Sequence, residues 1–153
     1  MPIRGSLTHI DLSISDPDRA IPFYAALFEA LGYERIGASE PELPGARPRR
    51  ASWKVMLGSG ASFDIEVRPS SGPNRERPVD RYAPGLHHLA FHAEGRADVE
   101  RVHRALVAAG ASVLDEPADY TGQRGYSPGY YAAFYADPDG TKIEVAYIPE
   151  SNP

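Results

Sequence analysis

Residues 7–14, LTHIDLSI, alternate strictly: Ile10, Leu12 and Ile14 fall on one face, and His9, Asp11 and Ser13 on the other. Successive side chains of a strand point to opposite faces, so this pattern predicts a half-buried β-strand with a histidine on its polar side. The stretch that follows, SDPDRAIPFYAALFEALGY (15–33), predicts a helix. Ser15 or Asp16 can cap it, Pro17 suits its first position, and Phe23, Tyr24, Leu27, Phe28 and Leu31 recur at helical spacing. Gly32 closes it as a left-handed cap. Pro22, beyond the first turn, lacks the N–H that the helix needs there and is expected to bend the helix or delay its start. Residues 37–50, GASEPELPGARPRR, read as a long loop, and two strands are predicted at about 51–58 and 61–68 with Ser59-Gly60 as their turn.

After a Pro- and Ser-rich connection at 69–84 the pattern starts again. GLHHLAFHA (85–93) alternates as a strand, and ADVERVHRALVAAG (97–110) predicts a helix with Val99, Val102, Leu106 and Val107 on one side and Gly110 as its cap. Strands follow near 111–115, 130–136 and 141–148, the last two joined by the turn-forming DPDG. Sliding one half over the other by 79 positions puts His9 on His88 and Ala26-Leu27 on Ala105-Leu106; by 78, Gly32 falls on Gly110 and Ile65-Glu66-Val67 on Ile143-Glu144-Val145. Each half reads strand, helix, three strands, which is most simply a duplicated βαβββ unit.

Composition bounds the function. A chain of 153 residues with 42% hydrophobic content matches one domain with a real core. The expected division is a single domain, with a first module at about 6–68, a linker at 69–84 and a second module at 85–148. A net charge of −5 with no basic stripe argues against nucleic acid. No apolar run reaches a membrane span and the N-terminus has no leader pattern, so a cytoplasmic location is expected. The absence of cysteine excludes disulfides, zinc–thiolate sites and thiolate nucleophiles. A metal would have to be held by His and carboxylate.

The repeat supplies such residues. Apolar positions recur because both helices must pack, but His9/His88 and Glu66/Glu144 recur on the strand faces opposite the apolar ones. Two histidines and two carboxylates suit one divalent ion, Zn, Ni, Co, Mn or Fe(II), and leave two positions of an octahedral shell for neighbouring substrate oxygens. Glu144 or Glu66 can then leave the metal and act as a base. Of the other histidines, His87 alternates with Leu89 and Phe91 and reads as structural. His92 shares a face with His88 but lies roughly 13 Å along the strand, too far to join the same ion.

These segments resemble the vicinal oxygen chelate superfamily of glyoxalase I, extradiol dioxygenases, methylmalonyl-CoA epimerase, fosfomycin-resistance transferases and bleomycin-resistance proteins. The carriers are LTHIDLSISDPDRAIPFY, GLHHLAFHA and FYADPDGTKIEVAY, and the match covers nearly the whole chain. The resemblance implies an α+β fold in which two βαβββ modules form an open, incomplete eight-stranded mixed β-barrel with the helices outside. It also implies metal ligands at His9, Glu66, His88 and Glu144. All four are used by glyoxalase I and related lyases and isomerases. Dioxygenases need only His9, His88 and Glu144, and bleomycin-binding members need no metal. The expected activity is therefore a glyoxalase I-like lyase or isomerase on a small molecule, with an Fe(II) dioxygenase or a drug-binding protein with a vestigial site as alternatives, and a homodimer as the expected assembly. Glyoxalase I carries an Asn soon after its first glutamate to hold glutathione, whereas this chain runs Glu66-Val67-Arg68-Pro69-Ser70. Arg68 shares the face of Glu66 and is a candidate for an anionic substrate group. Tyr131 and Tyr135 alternate together; one of them is a candidate to line the cavity, against the more usual role of a core or surface tyrosine, and the segments 37–50 and 116–129 are expected to line it as loops.

Overall fold

The computed structural model describes residues 4–38, 49–58 and 60–149. The chain divides into two compact units, Met1–Arg77 and Pro78–Pro153, each a βαβββ module. In the first, β1 (His9–Ile14) leads into α1 (Pro17–Ala30), then β2 (Glu34–Ala38), β3 (Ala51–Met56) and β4 (Ser62–Pro69). In the second, β5 (His88–His92) leads into α2 (Arg96–Ala108), then β6 (Ser112–Asp119), β7 (Tyr131–Ala136) and β8 (Lys142–Tyr147). The eight strands form two mixed four-stranded sheets, ordered β1-β4-β3-β2 and β5-β8-β7-β6. The first strand of each sheet pairs in parallel with the last, and the remaining pairs are antiparallel. Among the described residues no helix is long and apolar enough to cross a membrane.

Asp16 caps α1 by accepting the Asp18 N–H at 2.9 Å, and Pro17 occupies the first turn. Asp16→Ala is expected to lower stability by about 0.5–2 kcal/mol in urea unfolding, the usual loss when an N-cap is removed. Pro22 does not delay the helix, which runs unbroken from Pro17 to Ala30. Its ring lies on the exposed side, so the bond it forgoes is to the carbonyl of exposed Asp18 rather than to a buried group. Tyr24, Leu27 and Phe28 are fully buried with Trp53, Ile65 and Val67, and the Phe28 and Trp53 ring centres lie 5.1 Å apart. In the second module α2 packs on β6, β7 and β8 through Val99, Val102 and Leu106. Val107 is 49% exposed and lies outside that stripe. Gly32 and Gly110 follow the two helices at φ 79° and 78°, the left-handed backbone that glycine adopts without strain.

Two segments read as loops are partly strand. Gly37 and Ala38 belong to β2, while 39–48 lie outside the described residues, as does Ser59 of the predicted turn. Residues 116–119 extend β6, whose register slips at Asp115 and again before Ala118. Pro117 is tolerated because β6 is an edge strand with β7 as its single partner.

Candidate functional site

Helix packing decides which sheet face is left for chemistry. In module 1, Ala51, Trp53, Ile65 and Val67 are buried on the α1 side, so the alternate residues of β1, β3 and β4 face away from it. In the β1–β4 ladder His9 opposes Asp64 and Asp11 opposes Glu66. In the β5–β8 ladder His88 opposes Lys142 and Ala90 opposes Glu144. The histidine of each module is therefore two residues out of register with its glutamate, on the same face.

In module 1 this face holds a concavity of about 260 Å³ lined by His9, Asp11, Ile36, Ser52, Asp64, Ile65 and Glu66. The Nδ1 of His9 is 3.0 Å from the Thr8 hydroxyl, and its Nε2 has no partner among the described residues. Glu66 is engaged at both oxygens. Ser52 donates to Oε2 at 3.1 Å, and Arg68 donates to Oε1 through Nε at 3.0 Å and Nη2 at 2.9 Å. The other arm of Arg68 is 3.5 Å from Asp11. Arg68 is thus a brace between two carboxylates of its own sheet rather than a free cation awaiting a substrate anion. Asp64 meets Lys54 at 3.7 Å through Oδ2, while its buried Oδ1 has no hydrogen-bond partner.

Module 2 brings its pair into contact. His88 Nε2 lies 3.3 Å from Glu144 Oε2, with the glutamate side chain 5% exposed. His88 Nδ1 is 2.7 Å from Nδ1 of His87, so one of the two rings donates to the other. His87 precedes β5, is exposed, and sits edge-on to Tyr82. His92 ends the strand, also exposed, opposite Ala146. Among the described residues, no three His, Asp or Glu side chains converge as a metal-holding group.

The two strand tyrosines pack on the helix side, as core tyrosines do, and do not line the concave face. Tyr135 is fully buried on the α2 side, its hydroxyl 3.1 Å from His103 Nδ1, and the other nitrogen of that ring meets Glu116 at 2.9 Å. Burial pushes the Tyr135 phenol well above its ordinary value, with the Glu116 and Glu100 charges adding to the effect. Tyr131 donates to Glu100 of α2 at 2.5 Å. Both face the helix. The tyrosine that reaches the candidate site is Tyr130, whose hydroxyl donates to Glu144 Oε1 at 2.5 Å. Burial first, and then this bond and the Glu144 charge, push its phenol well above the ordinary range, which keeps it a donor. Tyr120 and Tyr130 cover a small second cluster of Ala132, Phe134 and Ala146, and the rings of Tyr120–Tyr126 and Tyr126–Tyr130 lie 4.9 and 4.8 Å apart.

Backbone contacts pin this loop. Gly129 donates to the Thr121 hydroxyl at 2.8 Å, and Tyr120 donates to the Tyr130 carbonyl at 2.9 Å. Asp119 anchors its start, and its carboxyl is held down to about 2 by the Thr121 hydroxyl and N–H, then by Arg96. Sequence periodicity did not single out Tyr130: it stands at the start of the predicted strand 130–136, on the face of Ala132 and Phe134, but nothing in the sequence shows that this face carries Glu144, and β7 itself begins only at Tyr131.

The family model described as Glyoxalase/Bleomycin resistance protein/Dioxygenase superfamily matches residues 6–145. Uncharacterized protein YqjT of Bacillus subtilis is 30% identical over 139 residues, 90% of this chain and 94% of its own. Among solved structures, a candidate glyoxalase of Bacillus halodurans superposes with a TM-score of 0.71 at 24% identity, over 95% of this chain and 97% of that one. A glyoxalase-related enzyme of Fulvimarina pelagi superposes at 0.61 with 23% identity, over 95% and 89%. At those identities the two structures speak for the fold, and the family model together with YqjT carries the membership. With the duplicated βαβββ architecture, these likenesses place the chain in the Glyoxalase/Bleomycin resistance protein/Dioxygenase superfamily.

Proposed function

We propose that the protein is a metal-dependent lyase or isomerase of the glyoxalase type, acting on a small molecule whose neighbouring oxygens chelate one divalent ion. His9, Glu66, His88 and Glu144 are the proposed ligands, and the ion is Zn, Ni, Co, Mn or Fe(II). The observation that carries this reading is the His88–Glu144 pair. Two donors bound at about 2.0–2.2 Å to one ion, at roughly 90–110° to each other, lie about 3–3.5 Å apart; the 3.3 Å separation fits. A buried carboxylate also needs a countercharge. Among the described residues no Lys or Arg forms an ion pair with Glu144, and His88 counters it only when protonated. The engaged Nδ1 on both His9 and His88 matches the outer bonds that orient ligating imidazoles.

The bound ion would supply Lewis-acid stabilisation of an enediolate oxyanion. The chain supplies the rest. Glu144 through Oε2, or Glu66, would leave the ion, take a proton from the carbon beside the substrate carbonyl and return it to the neighbouring carbon. The burial of Glu144 keeps water from competing for its carboxylate. The test uses protein purified without a metal-binding tag and stripped with chelator. It is titrated with each of the five ions while proton exchange in a hemithioacetal is followed by NMR in D2O. Exchange that requires the ion and stops with chelator is expected. Protein that binds none of the five at micromolar concentration would overturn the reading and leave a small-molecule-binding protein.

One observation favours a second reading. Glu66 already satisfies both oxygens through Ser52 and Arg68, which leaves His9, His88 and Glu144, the two-His, one-carboxylate set of an Fe(II) dioxygenase. Catechol cleavage under air with added Fe(II), and none with Ni or Zn, would select it.

A further inference from the structure

We propose that Tyr130 is a positioning residue that fixes Glu144 as a ligand through a single oxygen, a role that rests on the metal reading above. The Tyr130 hydroxyl occupies Oε1 at 2.5 Å, while Oε2 is the oxygen presented to His88 Nε2 at 3.3 Å. A carboxylate can bind a cation through one oxygen or both. With Oε1 engaged by the hydroxyl, its electron density is drawn toward that donor, which favours the one-oxygen mode and sets the direction of Oε2.

The two modules hold their glutamates differently. In module 1, Ser52 of β3 opposes Glu66 and bonds to it directly. The matching position of β7 in module 2 is Phe134, which opposes Glu144 and has no donor to offer. The hydroxyl comes instead from the loop before β7. Tyr130 is held for that purpose at three points. Its N–H donates to the Ser127 carbonyl at 3.2 Å, its carbonyl accepts from Tyr120 N–H at 2.9 Å, and its ring packs on the Ala132, Phe134 and Ala146 cluster. Gly129, just before it, has φ +80°, and a Cβ there would fall 2.6 Å from Pro149 Cγ, so only glycine brings the chain this close.

Tyr130→Phe removes the hydroxyl and keeps the ring; Tyr126→Phe makes the same change one ring away, where no bond to Glu144 exists. In Co(II)-loaded protein, Tyr130→Phe is expected to weaken Co(II) binding about 10–100-fold, as loss of an outer bond to a ligand does, and to change the visible absorption that reports coordination number. Tyr126→Phe should match wild type in both. Wild-type affinity and spectrum in Tyr130→Phe overturn the proposal, and so does an equal loss in both variants, which would mark loop packing rather than the hydroxyl. In metal-free protein, the unfolding midpoints of Tyr130→Phe, Glu144→Ala and the double variant should be non-additive; additive shifts overturn the bond itself. A wild type that takes up no Co(II) overturns the metal reading and the ligand role with it, while the cycle still reports whether Tyr130 holds Glu144.

Discussion

Replacing Glu144 by glutamine is expected to lower metal-dependent turnover by about 10²–10⁴-fold, the range for loss of a positioned proton-transfer group. The metal-free protein should meanwhile unfold at the wild-type temperature or above. The two effects part because the carboxylate is 5% exposed and, among the described residues, pairs with no Lys or Arg. A neutral amide of the same shape removes the burden of a buried charge, and its oxygen still accepts from Tyr130. Turnover in the D2O exchange assay and calorimetry of the stripped protein check the two halves separately. Unchanged turnover would remove Glu144 from the chemistry; a large fall in the unfolding temperature would mean that its charge stabilises the fold.

Trp53→Ala is expected to lower stability by about 3–5 kcal/mol, the usual loss when a large buried aromatic side chain is truncated. Trp53 is fully buried, its ring centre 5.1 Å from that of Phe28 and under the guanidinium of Arg35 at 5.7 Å. Domains are typically stable by only about 5–15 kcal/mol, so the variant should be close to unfolding at 37 °C. Trp53→Phe should cost less, because the indole Nε1 is buried without a hydrogen-bond partner and its removal leaves nothing unsatisfied. Urea unfolding followed by circular dichroism reads both variants, since Trp53 is the one tryptophan and its fluorescence disappears with it. A loss below about 1 kcal/mol for Trp53→Ala would mean that the first module does not depend on this contact.

What could be read from sequence were the elements that bury one face and expose the other. LTHIDLSI announces its strand because Ile14 packs inward while His9, Asp11 and Ser13 face solvent. The helices were legible from Tyr24, Leu27 and Phe28 and from Val99, Val102 and Leu106, closed by Gly32 and Gly110. β2 was not, because Glu34, Arg35 and Ile36 are all exposed on an edge strand with a register shift, so no alternation survives. Tyr131 and Tyr135 show a subtler limit. Their alternation was visible, but the face it meant depended on the pairing of Tyr135 with Ile143, a register that sequence does not print. The glutamates and histidines were found through the repeat. Their partners Ser52, Arg68 and Tyr130 were not, because the strand ladders set Phe134 opposite Glu144 where Ser52 stands opposite Glu66, and the repeat places Ala146 where Arg68 stands.

The parallel pairing of the first strand with the last also fixes an order of assembly. Within their sheets β1 has β4 as its single neighbour and β5 has β8. Neither can be held until the end of its module has been synthesised. The antiparallel β3–β4 and β7–β8 pairs close over short turns, whereas the β1–β4 and β5–β8 ladders close only after most of a module has been ordered. Each candidate half-site draws its histidine from that first strand and its glutamate from that last one. It is therefore expected to form in the final step of module folding. A slip of one residue in that step would turn the histidine to the helix side, so the register that completes the hydrophobic core is also the one that sets the ligand pair.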